Sequence, residues 1–198
     1  MNQSVPAPSR VILASASPQR THLLTQLGVA HTAIAADIDE RQRPGESAEA
    51  LAERLARTKA EALSIAYPNA VIIGSDTVVA SEDAVFGKPV DAAQAATMLG
   101  VLAGATHRVI SGVAILVDGI TTARVASSAV TMRALEASEI EAYIASGEPF
   151  GKAGAYAIQG LGALFVERLE GSYSAVMGLP LFETGALLRG VGIDPLAA

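Results

Sequence analysis

The stretch VILASASPQR (residues 11–20) joins a short apolar run to the polar start of a helix. The run from Val11 to Ala14 is typical of a short buried strand. Ser17 is a common N-cap residue, Pro18 suits the first helical position, and Gly28 stands just past the expected end of the helix. The stretch therefore predicts a strand–loop–helix unit.

The same loop could hold an anion. The unpaired N–H groups of the helix start, the hydroxyls of Ser15 and Ser17, and the Arg20 guanidinium could all donate hydrogen bonds there. The alternative interpretation is a well-capped surface helix. These residues alone favour that alternative, because Ser-Pro at a helix start is common.

Length and composition predict one domain over residues 1–198, with residues 1–9 a flexible N-terminus. The chain has 198 residues, of which 51% are hydrophobic and 17% charged, enough for a sizeable core. No run reaches the roughly 18 apolar residues of a membrane span, and the first residues do not resemble a signal peptide. We therefore expect a cytoplasmic protein with no membrane partner.

Composition also excludes several kinds of site. The chain has no cysteine, and its three histidines, His22, His31 and His107, lie far apart. Thiolate zinc sites, a cysteine nucleophile and a histidine-built metal site are therefore not expected. A net charge of −6 and the absence of tryptophan argue against a nucleic-acid polymer as partner.

Two charged residues stand in apolar surroundings. A helix is predicted from Ser47 to about Tyr67, and Lys59 lies close to the middle of its apolar stripe. Lys59 could extend its amine past the edge of the core, or it could place an ammonium in an interior cleft, and the pattern does not decide between them. Asp76 lies between VIIGS and TVV in an apparent core strand, where a carboxylate is costly unless it has partners. The other interpretation of Asp76 is a strand-terminal residue that binds loop amides.

The rest of the chain alternates predicted helices and strands. TAIAAD (residues 32–37) is predicted to be a strand that ends in Asp37 to Glu40, and Gly87-Lys88-Pro89 form a rigid bend. A hairpin turn at Asp118-Gly119 predicts an antiparallel ribbon at the sheet edge or at a lobe junction. The predicted helices are Asp91 to Gly104 with a capping box at Gln94, Ser138 to Gly147 with Ser138 and Glu141 as its cap, and Pro180 to Leu188.

Familiar nucleotide-binding motifs are not present in complete form. The segment GEPFGKA (residues 147–153) is one residue too short between its glycines for a P-loop and has Ala where the metal-binding Ser or Thr belongs. What remains is a dispersed set of cations and acids beside candidate core strands. Cations that hold phosphates, with carboxylates that hold a divalent metal and position water, suit hydrolysis of a phosphoanhydride.

Seven segments in chain order resemble the Maf family of nucleoside triphosphate pyrophosphatases. The resemblance covers residues 10 to about 190 and is carried by SASPQR, DIDE, LARTKA, GSDTVV, GKP, KAGAYAIQG and GSYSAVMGLPL. It implies an α/β fold with a two-lobed mixed sheet, flanking helices and a deep central cleft, similar to the inosine triphosphate pyrophosphatases. It also implies cleavage between the α and β phosphates, giving a monophosphate and pyrophosphate, with a divalent cation, Mg²⁺ or Mn²⁺.

The resemblance assigns roles to individual residues. Asp76 matches the family's proton acceptor, Glu40 and Asp76 its metal position, and Ser15, Arg20, Lys59 and Lys88 its phosphate-binding groups. Gln19 departs from the family, where Arg or Trp at that position is associated with the choice of base. Because an uncharged amide resembles neither side chain, Gln19 leaves the subgroup open.

Thr77 and Gln159 resemble the residues of the subgroup that acts on dTTP and UTP. Activity on dTTP and UTP is therefore the preferred interpretation. Modified pyrimidine nucleotides are a further candidate substrate class. The alternatives are a 7-methyl-GTP or inosine triphosphate pyrophosphatase and a non-enzymatic regulator of septum formation. The family and the hairpin also suggest a homodimer.

Overall fold

In the part of the chain that the structure describes, seven β-strands form one mixed sheet. The computed structural model describes residues 10–82 and 84–197, so the expectation of a flexible terminus at residues 1–9 lies outside the described residues. The strands are β1 (Val11–Leu13), β2 (His31–Ala33), β3 (Val71–Ala80), β4 (Val85–Phe86), β5 (Thr106–Val117), β6 (Ile120–Met132) and β7 (Val166–Glu170).

The order of the strands is β2-β1-β3-β5-β6-β7, and the short β4 pairs with the end of β3. Strands β1, β2 and β3 are parallel, whereas β3, β5, β6 and β7 are antiparallel to their neighbours. The mixed α/β sheet predicted for the chain is therefore confirmed. The predicted strand at residues 32–37 is shorter than expected, because only residues 31–33 pair with β1.

The predicted hairpin forms, and part of it lies at the edge of the sheet. Asp118 and Gly119 make its turn with φ of 50° and 76°. Strand β5 lies inside the sheet between β3 and β6, and β7 pairs only with residues 129–132 of β6. In the described sheet, residues 120–128 of β6 pair with β5 alone, so the predicted edge position is confirmed for that part of the ribbon.

Within the described residues, six α-helices flank the sheet. They are α1 (Pro18–Gln26), α2 (Ala48–Ala62), α3 (Ala92–Leu102), α4 (Ala137–Ala145), α5 (Tyr173–Met177) and α6 (Leu181–Gly190), and two 3₁₀ turns lie at Ala153–Ala155 and Leu161–Phe165. Ser17, Ser47 and Asp91 cap α1, α2 and α3 with their side chains, as predicted. None of the helices in the described ranges has the length and apolarity needed to cross a bilayer.

Helix α4 starts differently from the prediction. Glu136, not Ser138, is its N-cap, and Glu136 and Glu139 form a reciprocal capping box. Glu139 accepts a hydrogen bond from the Glu136 backbone N–H at 2.9 Å and also pairs with Arg133. Because Glu139 is held by both Glu136 and Arg133, the helix is capped at Glu136 and not at Ser138.

Strand β3 is buried on both faces of the sheet. Ile72 and Val78 face α2, together with Asp76, whereas Ile73 packs in the apolar cluster formed with α1 and α6. Alternation along the strand places Ser75 and Thr77 on the side opposite Asp76. One strand therefore supplies polar side chains to both faces.

Helix α2 lies unusually close to the sheet. A Cβ atom at Gly74 or at Gly112 would overlap the backbone carbonyl of Ala56 or of Ala52, respectively. Glycine on the strands and alanine on the helix allow this approach, because neither adds side-chain volume to the interface. The close contact sets the height of α2 above the residues at the centre of β3.

The apolar residues form separate clusters around the sheet. One cluster joins α3 and α4 to the beginning of β5 and the end of β6. Another joins β1 and β3 to α1 and α6. A deep cleft opens between these parts of the molecule, as expected for a two-lobed arrangement. That residues 1–198 form a single domain stays a prediction.

We expect Gly112→Ala to lower the free energy of unfolding by about 3 kcal/mol, because the new methyl group forces α2 away from the sheet. Urea denaturation measures this change. Gly100→Ala is the matched control, since Gly100 lies within α3 and its Cβ would meet open space. The control should raise the stability by about 1 kcal/mol, and an equal effect of both variants would contradict the close-packing argument.

Candidate active site

The cleft between the two parts of the molecule brings together every site residue predicted from the sequence. It has a volume of about 750 Å³. Its lining includes the candidate phosphate-binding, metal-binding and specificity residues: Ser15, Gln19, Arg20, Glu40, Lys59, Asp76, Thr77, Lys88 and Gln159. The roles of these residues stay predictions, but their convergence on one cavity is a property of the fold.

Lys59 lies at the centre of the charged side chains. Its side chain is 6% exposed, and Nζ contacts Asp76 Oδ1 at 2.5 Å and Glu40 Oε1 at 2.6 Å. The amine therefore lies in the cleft, and the interpretation in which Lys59 reaches out past the core is wrong. A buried cation between two carboxylates has the partners that offset its desolvation.

Asp76 is nearly buried, and its carboxylate is not a strand-terminal group that binds loop amides. It lies within β3, and a second cation, Arg20, approaches Oδ1 at 4.0 Å. Both cations approach the same oxygen atom. Within residues 10–82 and 84–197, no hydrogen bond to Asp76 Oδ2 is formed.

Arg20 is fixed by one group close to it in the sequence and one far along the chain. Its Nη1 donates to Ser15 Oγ at 3.2 Å, and its Nε donates to the carbonyl of Gly178 at 2.9 Å. Burial lowers the pKa of the Arg20 guanidinium, and the charges of Asp76 and Glu40 act against that shift. Arginine side chains remain protonated in proteins, so Arg20 is a cation of the cleft.

Glu40 lies at the mouth of the cleft, half-buried, between two lysines. Lys88 Nζ approaches Oε2 of Glu40 at 3.8 Å. Partial burial favours the neutral acid, but the hydrogen bond from Lys59 and the positive charges of Lys59, Lys88 and Arg20 together lower the pKa of Glu40. Glu40 is therefore ionised at neutral pH.

The balance of charge in the cleft is positive although the chain as a whole is acidic. Four cationic side chains and two carboxylates line it, the fourth cation being Lys152. Lys152 was not singled out in the sequence because its segment, GEPFGKA, is an incomplete P-loop. Its position seven residues before Gln159, within the glycine-rich motif, is the signal that could have found it.

Aromatic and aliphatic side chains form the wall beside Gln159. Tyr156, Ile158, Val176 and Met177 line this part of the cleft. Such a wall suits the flat, mostly apolar face of a nucleobase. The cleft thus has a cationic region and an apolar region in one cavity.

The loop that carries Gln159 is held from behind by Glu148 and Tyr143. The Tyr143 hydroxyl donates to Glu148 at 2.8 Å and accepts from the Ala157 N–H at 3.1 Å. Glu148 also accepts from the backbone N–H groups of Leu161 and Gly162, each at 2.9 Å. These bonds fix the backbone on both sides of Gln159.

Gln19 is oriented by its own helix cap. Ser17 Oγ donates to Gln19 Oε1 at 3.1 Å. The oxygen of the Gln19 amide accepts this bond, and the amide nitrogen carries two N–H donors. Gln19 therefore supplies hydrogen-bond donors without the charge or the stacking surface of an arginine or tryptophan.

Comparison with models of protein families assigns this chain to a known family. Residues 10–191 match the family model described as Maf-like protein. The chain belongs to the Maf family. The resemblance noted in its seven motifs is thereby confirmed over nearly the whole chain.

Several proteins similar to this Maf chain are dTTP/UTP pyrophosphatases. A dTTP/UTP pyrophosphatase of Aromatoleum aromaticum is 46% identical over 201 residues, covering 94% of this chain and 98% of that protein. Those of Cupriavidus metallidurans and Vibrio cholerae are 48% and 46% identical, covering 93% and 91% of this chain and 98% and 97% of the relatives.

The carboxylates of the Maf cleft suit a hard divalent cation only when a bound ligand supplies further oxygen atoms. The described part of the chain has no group of three or more acidic or histidine side chains that could hold a metal ion. Mg²⁺ commonly binds through one or two carboxylates and completes its shell with phosphate oxygens and water. Glu40 and Asp76, both oxygen donors, suit that mode.

A buried histidine supports the apolar wall of the Maf cleft. His107 is 2% exposed and its Nε2 lies 2.8 Å from the Tyr156 hydroxyl, while burial lowers its pKa from 6.5 to about 4. The folded protein thus keeps His107 neutral over a range in which the unfolded chain protonates it. The stabilisation is present above pH 6.5 and is lost as the pH falls toward 4.

We expect the free energy of unfolding to fall by about 3 kcal/mol between pH 6.5 and pH 4 through His107 alone. His107→Gln should flatten this part of the profile, which denaturant titrations at a series of pH values measure. His22→Gln removes an exposed imidazole of α1 and is the control for loss of a histidine. An unchanged slope in His107→Gln would show that other groups cause the dependence.

Proposed function

We propose that this chain is a nucleoside triphosphate pyrophosphatase that hydrolyses dTTP and UTP between the α and β phosphates. The products are the nucleoside monophosphate and pyrophosphate, and the role is removal of nucleotides from the pool. The observation that carries the proposal is the cleft itself, in which cations and two carboxylates lie beside an apolar wall. The names of the similar proteins support the choice of reaction and substrate.

The cations hold the triphosphate. Arg20, Lys59 and Lys88 come from α1, α2 and the bend after β4, so they approach a chain of phosphates from three directions. Their charges stabilise the negative charge that develops on the pyrophosphate as it leaves. Ser15, whose hydroxyl already contacts Arg20, adds a hydrogen-bonding group beside the guanidinium.

Asp76 accepts the proton of the attacking water. Lys59 and Arg20 both approach Oδ1, so Oδ2 is the oxygen that receives the proton. Lys59 contacts Asp76 and Glu40 at the same time, so one ammonium bridges the two acids.

Glu40 and Asp76 are the residues that would hold a divalent cation, Mg²⁺ or Mn²⁺. A bound cation neutralises phosphate oxygens and lowers the pKa of a coordinated water. The protein would supply two carboxylates, and the remaining ligands would be phosphate oxygens and water. Removal of divalent ions with EDTA should therefore abolish turnover.

Base selection is assigned to Gln19, Thr77 and Gln159. The Gln159 amide carries both a donor and an acceptor, which suits the edge of a pyrimidine. The apolar residues next to Gln159 provide the surface on which the ring lies. The donors of Gln19 lie at the start of α1, beside the phosphate-binding groups.

We expect Asp76→Asn to lower kcat by about 10³-fold, because the amide cannot accept the proton of water. Release of pyrophosphate from dTTP measures the change. Asp118→Asn is the control, since Asp118 lies in the exposed hairpin turn with a positive φ that Asn tolerates. Thermal unfolding of both variants tests whether they fold, and retained turnover in Asp76→Asn would reject the role of the residue.

The substrate is tested with a panel of dTTP, UTP, CTP, 7-methyl-GTP and ITP, each with Mg²⁺, with Mn²⁺ and with EDTA. We expect kcat/KM to be highest for dTTP and UTP and to require a divalent ion. A preference for 7-methyl-GTP or ITP would reassign the substrate. Absence of pyrophosphate release from all five would reject the enzymatic proposal and favour a regulator of septum formation that acts by protein contacts.

A further inference from the structure

Glu40 lies on a long loop, and that loop is tied to helix α2. Residues 34–47 connect β2 to α2, and Glu40 lies near the middle of this connection. A loop of this length has many conformations available unless tertiary contacts select one of them. The position of the Glu40 carboxylate in the cleft therefore depends on the groups that hold the loop.

Arg54 of α2 holds the part of the loop that follows Glu40. Its Nε donates to Glu46 Oε1 at 2.6 Å, and its Nη2 donates to Glu46 Oε2 at 2.8 Å. The same Nη2 donates to the carbonyl of Arg41, the residue next to Glu40, at 3.0 Å. One guanidinium thus binds both ends of the segment from Arg41 to Glu46.

Hydrogen bonds of Glu46 close the segment between these two ends. The Glu46 carboxylate accepts from the Arg43 N–H at 3.0 Å, and the Glu46 carbonyl accepts from the Gln42 side chain at 2.7 Å. The Glu46 N–H donates to the carbonyl of Arg43 at 3.1 Å and so completes a turn. Arg54 therefore binds a compact segment of the loop and not a single side chain.

The pair of Arg54 and Glu46 differs from an ordinary surface ion pair. The two side chains are 17% and 9% exposed. Exposed pairs contribute little to stability, because solvent screens the charges and two mobile side chains must be ordered. A bidentate pair with little access to water is stronger, and its two parallel bonds also fix the relative position of the partners.

Helix α2 also contacts the loop before Glu40 and at Glu40 itself. The Ile38 side chain packs against the apolar cluster beside α2. The Glu40 carboxylate contacts Lys59 of the same helix at 2.6 Å. With Arg54 holding the segment after Glu40, the acid and the backbone on either side of it are all fixed relative to one helix.

We propose that Arg54 is a positioning residue that sets the place of the Glu40 carboxylate in the cleft and thereby the affinity of the site for a divalent cation. This inference rests on the proposed function for the assignment of Glu40 as a metal-binding group. Arg54 is not among the described residues that line the cleft, so it acts through the loop and not by contact with a nucleotide. Groups that orient a metal ligand typically change metal affinity by about 10- to 100-fold.

The test is the Mg²⁺ dependence of UTP turnover in wild type and Arg54→Lys. Lysine keeps the positive charge but loses the planar fork that binds a carboxylate and a carbonyl at once, so the variant separates position from charge. We expect the Mg²⁺ concentration for half-maximal turnover to rise about tenfold, while kcat at saturating Mg²⁺ changes little. An unchanged Mg²⁺ dependence in a folded Arg54→Lys protein overturns the inference.

Arg57→Lys is the matched control, because Arg57 makes the same kinds of contact from the same helix. Arg57 donates to the Glu53 carboxylate at 2.8 Å and to the carbonyl of Thr121 at 2.9 Å, and both partners lie outside the loop. Arg57→Lys should leave the Mg²⁺ dependence unchanged. An equal rise in both variants would assign the effect to a general loosening of α2 and overturn the inference.

A second variant keeps the inference testable if Arg54→Lys does not fold. Glu46→Gln weakens the same pair from the loop side and should also raise the Mg²⁺ concentration for half-maximal turnover. In a Glu40→Gln background, Glu46→Gln should have no further effect on this concentration, because changes that act through one group are not additive. Additive effects would show that the pair acts by a route other than Glu40 and overturn the inference.

Hydrogen exchange tests the position of the loop without any turnover. The Arg43 amide donates to the Glu46 carboxylate, so its exchange reports whether the loop segment stays closed. We expect exchange of this amide to be about tenfold faster in Arg54→Lys than in wild type or Arg57→Lys. Equal rates in the three proteins overturn the role of Arg54 in holding the loop.

Binding of a UTP analogue separates this inference from the proposed function. A methylene group between the α and β phosphorus atoms prevents cleavage there, and calorimetry measures how much Mn²⁺ tightens binding of the analogue relative to EDTA. We expect this factor to be about tenfold smaller in Arg54→Lys than in wild type. If no nucleoside triphosphate is hydrolysed but this difference is observed, the proposed reaction fails and the positioning role stands. An equal factor in both proteins overturns the inference whatever the outcome for turnover.

Discussion

The contact between α2 and the sheet is the constraint on which the arrangement of the cleft depends. Backbone meets backbone where Gly74 and Gly112 face the carbonyls of Ala56 and Ala52. At this separation the ammonium of Lys59 reaches Asp76 on the strand below it and Glu40 on the loop beside it. Any side chain at either glycine would raise the helix and lengthen both ion pairs. The position of the charged centre therefore depends on the two glycines, which have no side chains to separate α2 from the sheet.

The two faces of β3 carry different kinds of polar contact. On the α2 face, the Asp76 carboxylate lies beside the cations Lys59 and Arg20. On the opposite face, Ser75 and Thr77 join hydroxyl and carbonyl groups of β5 and the segment around α5. Charge is thus concentrated on one side of a single strand, and directional hydrogen bonds on the other, as expected from the alternation of side chains along a strand.

Local patterns in the sequence predicted the elements that carry the charges. Periodicity placed Lys59 on an apolar helix face and Asp76 in a core strand, and burial of both follows from those patterns. The cap of α4 could not be predicted so well, because Ser138 and Glu136 are both acceptable caps and tertiary contacts of Glu139 with Arg133 decide between them. The position of the hairpin within the sheet depends on pairing with β3 and β7, residues far away in the chain.

Other parts of the site have no local signal at all. A glycine in a strand does not reveal which helix will cross it, so the closeness of α2 cannot be deduced from Gly74 or Gly112 alone. In the sequence, nothing distinguishes Ser111 from other strand residues. Its hydrogen bond to the carbonyl of Ala175 depends on where α5 packs. The acceptors for Arg20 and Ser111 are backbone carbonyls, which every residue has, so residue type gives no indication of them.

The carbonyl of Gly178 receives hydrogen bonds from Arg20 and from Ser75, although Arg20 and Gly178 are separated by 158 residues. During synthesis on the ribosome, the guanidinium emerges early and has to wait for almost the entire polypeptide before its anchor exists. An incomplete chain, or one cut short before α5, would carry the motif of α1 without the means to orient it. The anchor of the Arg20 side chain therefore becomes available only after residue 178 has been synthesised.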